Sequence, residues 1–168
     1  VSDVTFENIR FKGNVWLDQG VIRGHQCFYV SVIGDTFKNF TFENVTFDGF
    51  KFDIHITDEP DEKPYLGWKF NNCEFVNSAN PFMLNWADGV TVTNSHLSNT
   101  FSQGKMEHCF YIGGGCSNIV VDNCLLENSM GGAIHQNYDG SVSDDVYICN
   151  NRFTNLQIRD CNTAVMIG

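Results

Sequence analysis

The chain has 168 residues, 42% of them hydrophobic with 15 Phe and 15 Gly, enough for one domain spanning 1–168 with a continuous core. Charged residues are only 18% and the net charge is -10, which argues against a nucleic-acid phosphate track or an anionic membrane surface, since both need clustered Lys and Arg. No stretch is long and apolar enough to cross a bilayer as a helix, so no membrane insertion is expected.

From the N-terminus onward one frame recurs six times: apolar, any, apolar, any, Asn, then a bulky apolar residue three further on. It begins as Val4-Thr5-Phe6-Glu7-Asn8 with Phe11, and returns as Phe40 to Asn44 with Phe47, then Trp68 to Asn72 with Phe75. The remaining copies are Val90 to Asn94 with Leu97, Ile119 to Asn123 with Leu126, and Val146 to Asn150 with Phe153. Alternation before each Asn has period two, so these segments are strands with the apolar residues inward. Asn tolerates the left-handed backbone that a sharp bend between two strands requires. Copies 22 to 36 residues apart around a fixed frame imply a constant short turn and variable loops, the mark of a solenoid. An offset of 51 aligns the third and fifth copies without a gap: Asn72/Asn123, Cys73/Cys124, Asn77/Asn128, Ser78/Ser129, Asp88/Asp139 and Gly89/Gly140 are identical.

This pattern resembles the right-handed parallel β-helix of the pectate-lyase-like superfamily, with its Asn ladder at the tight turn. The resemblance implies an all-β solenoid of about six coils, each with three strands. The segment before the Asn is the second strand and the segment after it the third. The first strand follows the variable loop: Phe28 to Val32, Phe52 to Ile56, Phe82 to Trp86, Phe110 to Gly113, Ala133 to Gln136 and Ala164 to Ile167. Neither end carries an amphipathic capping helix, so the expectation is a slice of a longer protein, capped by flanking domains or assembled as a homotrimer.

By the same resemblance, substrate lies along the first strand and its adjoining loop. Parity predicts two outward columns there: Tyr29, Asp53, Met83, Tyr111, Ile134, and Ser31, His55, Asn85, Gly113, Gln136. Asp53 and His55 would then share a face, with Asn85 stacked beside His55 and Tyr111 two coils above Asp53. A carboxylate and an imidazole suit general acid/base catalysis, while an amide and an aromatic face suit a sugar. Glu107 and His108 would lean over the same groove from the preceding loop. The candidate catalytic residues are therefore Asp53, His55, Glu107 and His108; the candidate substrate-binding residues are Tyr29, Asn85, Tyr111, His135 and Gln136. Register with Leu84 turns His135 inward as a buried, hydrogen-bonded imidazole, whereas a slip of one residue would expose it beside Tyr111. The alternative for Asp53 and His55 is that they are ordinary solvent-facing residues.

Glu7 and Glu43 occupy one outward position on adjacent coils, about 5 Å apart by strand spacing, in a column continued by Asn71, Thr93 and Asp122. Like charges that close raise one pKa, and retaining glycosidases use a carboxyl pair at this separation. No cofactor is implied; the acidic run Asp58 to Glu62 would admit calcium, and Glu107-His108-Cys109 lacks zinc-ligand spacing. Gly113-Gly114-Gly115 opens no helix and so is not a phosphate loop. Of seven cysteines at least one must be unpaired within the chain. Cys73 and Cys124 lie two coils apart, too far for a disulfide, and buried thiols favour folding in a reducing compartment. Asn39 and Asn44 match the glycosylation pattern, but Asn44, as a ladder residue, is expected inside.

The chain lacks the Trp-Ile-Asp-His-like segment of pectate lyases, and Asp144-Asp145 stands without the other polygalacturonase motifs. Few Lys or Arg fall on the first-strand face, so hydrolysis or transfer fits better than a lyase reaction. The resulting expectation is a polysaccharide-binding, polysaccharide-cleaving module similar to secreted carbohydrate-active enzymes and phage tailspikes. Its partner would be a polysaccharide or cell-surface glycan at an extracellular site or virion surface. The competing reading is a non-catalytic spacer.

Overall fold

In a computed structural model the described residues are 1–31, 37–57, 65–99, 101, 107–137 and 150–168. Three parallel sheets, each six strands deep, run the length of the described chain, and among the described residues every regular element is a strand. The first sheet stacks Gln26–Val30, Phe52–Thr57, Asn80–Asn85, His108–Ile112, Gly132–Gln136 and Val165–Ile167. The second stacks Thr5–Glu7, Thr41–Glu43, Trp68–Asn71, Asp88–Thr93, Ser117–Asp122 and Arg152–Thr154. The third stacks Arg10–Lys12, Thr46–Asp48, Glu74–Val76, His96–Ser98, Leu125–Glu127 and Gln157–Arg159. Each coil visits the second, third and first sheets in turn, so strands adjacent in a sheet come from successive coils. Outside this body an antiparallel hairpin, Trp16–Asp18 with Val21–Arg23, projects from the loop of the first coil, a feature the alternation did not reveal.

The corners explain why these residues coil. Left-handed φ values recur every five residues: Asn39, Asn44 and Gly49; Gly67, Asn72 and Asn77; Asn118, Asn123 and Asn128. Each five-residue unit is a short strand ended by a residue that accepts φ near +55°, which Asn and Gly do at least cost. The middle corner, between the second and third sheets, is Asn in all six coils, and these side chains bond up the stack. Asn44 Nδ2 donates to Asn8 Oδ1 at 3.1 Å, Asn72 donates to Asn44, and Asn123 Nδ2 donates to Asn94 Oδ1 at 2.8 Å. Asn94 departs slightly, donating to Asn71 Oδ1 at 2.7 Å.

Two expectations change here. Asn44 is exposed, not inside: the ladder lies on the outer surface of the corner, where the amides satisfy one another without burial. The sixth ladder residue is Asn155 rather than Asn150. Val121 pairs with Phe153 and Asp122 with Thr154, and Asn155 Nδ2 donates to Asp122 Oδ1 at 2.8 Å. Asn150 instead takes the corner five residues earlier, level with Asn118, and Val146 to Cys149 lie outside the described residues. Where other coils place an apolar residue, the sixth places Asn151, whose Oδ1 accepts from Ile119 N–H at 2.9 Å.

Inward side chains form columns parallel to the axis. Phe42 and Phe70 stack at 4.4 Å and 2°, Phe47 and Phe75 at 4.7 Å and 4°, Phe40 and Trp68 at 4.9 Å and 4°, and Phe82 and Phe110 at 4.7 Å and 13°. Aromatic rings one coil apart stack because the coil rise, about 4.8 Å, falls within the range of favourable ring separations. The four inner coils hold almost all of the fully buried core, while Phe6, Phe11, Phe153 and Ile158 of the outer coils are only partly buried. All six described cysteines are free thiols; Cys73 and Cys124 are buried beside the ladder, as expected, and burial first of all pushes each up to about 11.

Candidate functional site

The first-sheet face differs from the other surfaces in chemistry. Its observed register aligns Tyr29, His55, Met83, Tyr111, His135 and Met166 in one outward column. Phe28, Ile54, Phe82, Phe110, Ile134 and Val165 form the inward neighbour column. The four inner strands of this sheet each carry two consecutive buried residues after their first, Asp53-Ile54, Pro81-Phe82, Cys109-Phe110 and Ala133-Ile134. Alternation begins only afterwards, which shifts the parity read from sequence.

That shift reassigns several residues. Asp53 is 0% exposed, so it shares no outward face with His55. Its Oδ1 accepts from Ser78 Oγ at 2.9 Å and its Oδ2 has no partner, and burial raises the carboxyl well above its ordinary range. Nearby Cys27 is pushed up to about 12, first by burial and then by Asp53. Conversely His135 turns outward, half-exposed, because it pairs with Tyr111 rather than lining up with Leu84. Gln136 pairs with Ile112, in the inward column, and its outward place is taken by the next residue, Asn137. Met83, not Asn85, is the neighbour of His55; Asn85 pairs with Thr57. Tyr111 stands two coils above His55 rather than above Asp53, and Ile134, expected outward, faces the core.

Two clusters result. In the lower one the Tyr29 and His55 rings are 5.2 Å apart and Phe52 and His55 are 4.6 Å apart, with Lys51 Nζ 5.3 Å from the Phe52 centroid. Tyr29 is 54% exposed. Burial, then the charge of Lys51, holds His55 below the usual imidazole range. In the upper cluster His135 Nδ1 lies 3.1 Å from His108 Nε2, and Tyr111 stands 5.2 Å from the His135 ring. Asn137 Nδ2 donates to the Tyr111 hydroxyl at 2.7 Å. Burial first, then His135, takes His108 down to about 4, and burial lowers His135 as well. Both shifts favour the neutral form of the rings. Asn85 closes the row by lying across Gly113, where an added Cβ would come within 1.8 Å of Asn85 Oδ1 and would displace that amide.

Glu107 immediately precedes His108 and is half-buried; its backbone carbonyl accepts from Ser129 Oγ at 2.9 Å. Phe52 and Asn137 were missed in the sequence because parity was counted from the wrong residue. Counting outward from the in-register Ile54, Phe82, Phe110 and Ile134 would have found the column.

The polar residues of the second-sheet column and of the ladder bond largely among themselves. On the second sheet Glu7 pairs in register with Glu43, and the column continues through Asn71, Thr93, Asp122 and Thr154. Its members satisfy one another: Asn71 Nδ2 donates to Glu43 Oε1 at 2.8 Å, Thr93 Oγ1 to Asn71 Oδ1 at 3.0 Å, and Thr154 Oγ1 to Asp122 Oδ1 at 2.6 Å. A shallow groove of about 370 Å³ follows the Asn ladder past Glu74 and His96, but its amides are engaged with their neighbours. Among the described residues no group of three or more His, Cys, Asp or Glu could hold a metal ion. The acidic run 58–62 lies outside the described residues. No protein-family model matches this chain, and no curated protein or solved structure matches it either.

Proposed function

We propose that the first-sheet face is a binding surface for a polysaccharide or cell-surface glycan, on a β-helix module of the kind found in secreted carbohydrate-active enzymes and phage tailspikes. The observation that carries the reading is the outward column Tyr29, His55, Met83, Tyr111 and His135 on five successive coils, flanked by Asn85 and Asn137. At about 4.8 Å per coil the column is about 19 Å long, the dimension of an extended oligomeric ligand rather than of a small molecule. Aromatic faces take the apolar side of a pyranose, and neutral imidazoles and amides bond its hydroxyls without a charge to desolvate. An extracellular or virion-surface setting follows from that partner.

Binding is the better supported half of this reading. Acid/base hydrolysis needs a carboxyl beside the bound sugar, and Asp53, the first candidate, is buried on the opposite side of the strand. Glu107 is then the carboxyl to examine for cleavage, with His108 next to it. A panel of immobilised polysaccharides tests the proposal: at least one should retain the chain, and Tyr111→Ala and Tyr29→Ala should each weaken retention. Absence of retention on every glycan, or retention unchanged in both variants, would favour a rigid structural spacer. The continuous ring-stacked core supports that second reading.

A further inference from the structure

His108 opens its strand at the corner of one coil, and His135 lies inside the strand of the next. Their rings stand 4.6 Å apart at 65°, with His135 Nδ1 and His108 Nε2 separated by 3.1 Å. Ring nitrogens at that distance share one proton, the N–H of one imidazole donating to the lone pair of the other. In the free protein a single proton serves. A metal ion is the other solution, and the geometry suits it. Imidazole nitrogens about 2.0–2.1 Å from one ion lie about 2.9 Å apart at a right angle and about 3.4 Å apart at the tetrahedral angle. The observed separation falls between the two.

We propose that His108 and His135 form a two-imidazole site for a divalent transition-metal ion of the nickel, copper or zinc type, with water completing the coordination shell. Imidazole nitrogen suits these ions and not calcium or magnesium, which prefer oxygen. The pair is preorganised. The His108 backbone N–H is held by Asn80 Oδ1 at 3.0 Å, and the strands are locked by the register His108↔Gly132 and Tyr111↔His135. His108 is buried and His135 half-exposed, so the site has one open side, through which an ion enters with its water. With two protein ligands the ion is exchangeable rather than structural, unlike the four-ligand sites that hold small domains together. The site lies within the glycan-facing column but does not depend on a glycan being the ligand.

The experiment is a calorimetric titration of the tag-free chain with nickel(II) chloride at pH 7, repeated with calcium chloride. One equivalent of nickel should bind and calcium should not. His135→Gln, on the open side, should lower nickel affinity by at least roughly tenfold, since loss of even an outer-shell partner of a ligand costs about 10–100-fold. His108→Gln should do the same, and the double variant should be no worse than either. His96→Gln and Cys161→Ser, which remove a paired surface imidazole and the half-exposed thiol, should leave the titration unchanged. Because His108 is buried, His135→Gln is the deciding variant, with circular dichroism confirming its fold. No saturable nickel uptake, or uptake that survives His135→Gln, overturns the proposal.

Discussion

Replacing Asn123 separates the two duties of the ladder. This residue has φ +52°, and its Nδ2 donates to Asn94 Oδ1 at 2.8 Å. Alanine keeps a Cβ in a left-handed conformation that costs an ordinary residue about 1–2 kcal/mol. It also removes one hydrogen bond worth about 0.5–1.5 kcal/mol net, at the lower end because the pair is exposed. Asn123→Ala should therefore destabilise by about 2 kcal/mol. Glycine removes the steric part and adds only about 0.5–1 kcal/mol of chain entropy, so Asn123→Gly should cost about 1 kcal/mol. Urea unfolding followed by circular dichroism, with the slope m unchanged, reads both. If Gly proves as costly as Ala, or if Ala lies within about 0.5 kcal/mol of the parent, the corner does not depend on backbone conformation as argued here.

Three further outcomes follow from the same coordinates. Phe70→Ala, at a fully buried position stacked 4.4 Å from Phe42, should cost about 3–5 kcal/mol in urea unfolding. Phe153→Ala on the partly buried sixth coil should cost clearly less; equal costs would mean the core does not taper toward that coil. Burial, first of all, raises the Asp53 carboxyl well above its ordinary range, so the folded state holds its proton longer than the unfolded state. Its contribution is complete below the ordinary carboxylate range and is lost as pH rises through the raised folded value. Asp53→Asn, which keeps an acceptor for Ser78, should gain stability relative to the parent at pH 7 but not at pH 4; an equal effect at both would place the carboxyl in water.

The solenoid was legible because two signals coincide in each coil: period-two alternation sets the strands, and Asn sets the left-handed corner. Glu7 and Glu43, Asn77 and Asn128, and the buried Cys73 and Cys124 all fall where that frame places them. Three things escaped it. Parity cannot be counted through a corner, and the inward pair Asp53-Ile54 therefore hid Asp53 and exposed His135. Around the sixth coil, Asp145, Asn150, Asn155 and Asp160 follow one another at five-residue spacing, so the pattern admits two placements one unit apart. The pairing of Val121 with Phe153 selects the later one. Ladder amides looked like buried polar groups, but they bond to each other along the axis and remain at the surface. Parity already placed Tyr29, Met83 and Tyr111 in one outward column; that His55 and His135 share it emerges only from strand register.

The most direct test of the first-sheet face as the ligand surface is an amide chemical-shift map of the chain titrated with a retained oligosaccharide. The largest shifts should fall on Gln26–Val30, Phe52–Thr57, Asn80–Asn85, His108–Ile112 and Gly132–Gln136, centred on Tyr29, His55, Tyr111 and His135. Shifts concentrated instead on the Asn ladder or on the Glu7–Glu43 column would contradict it.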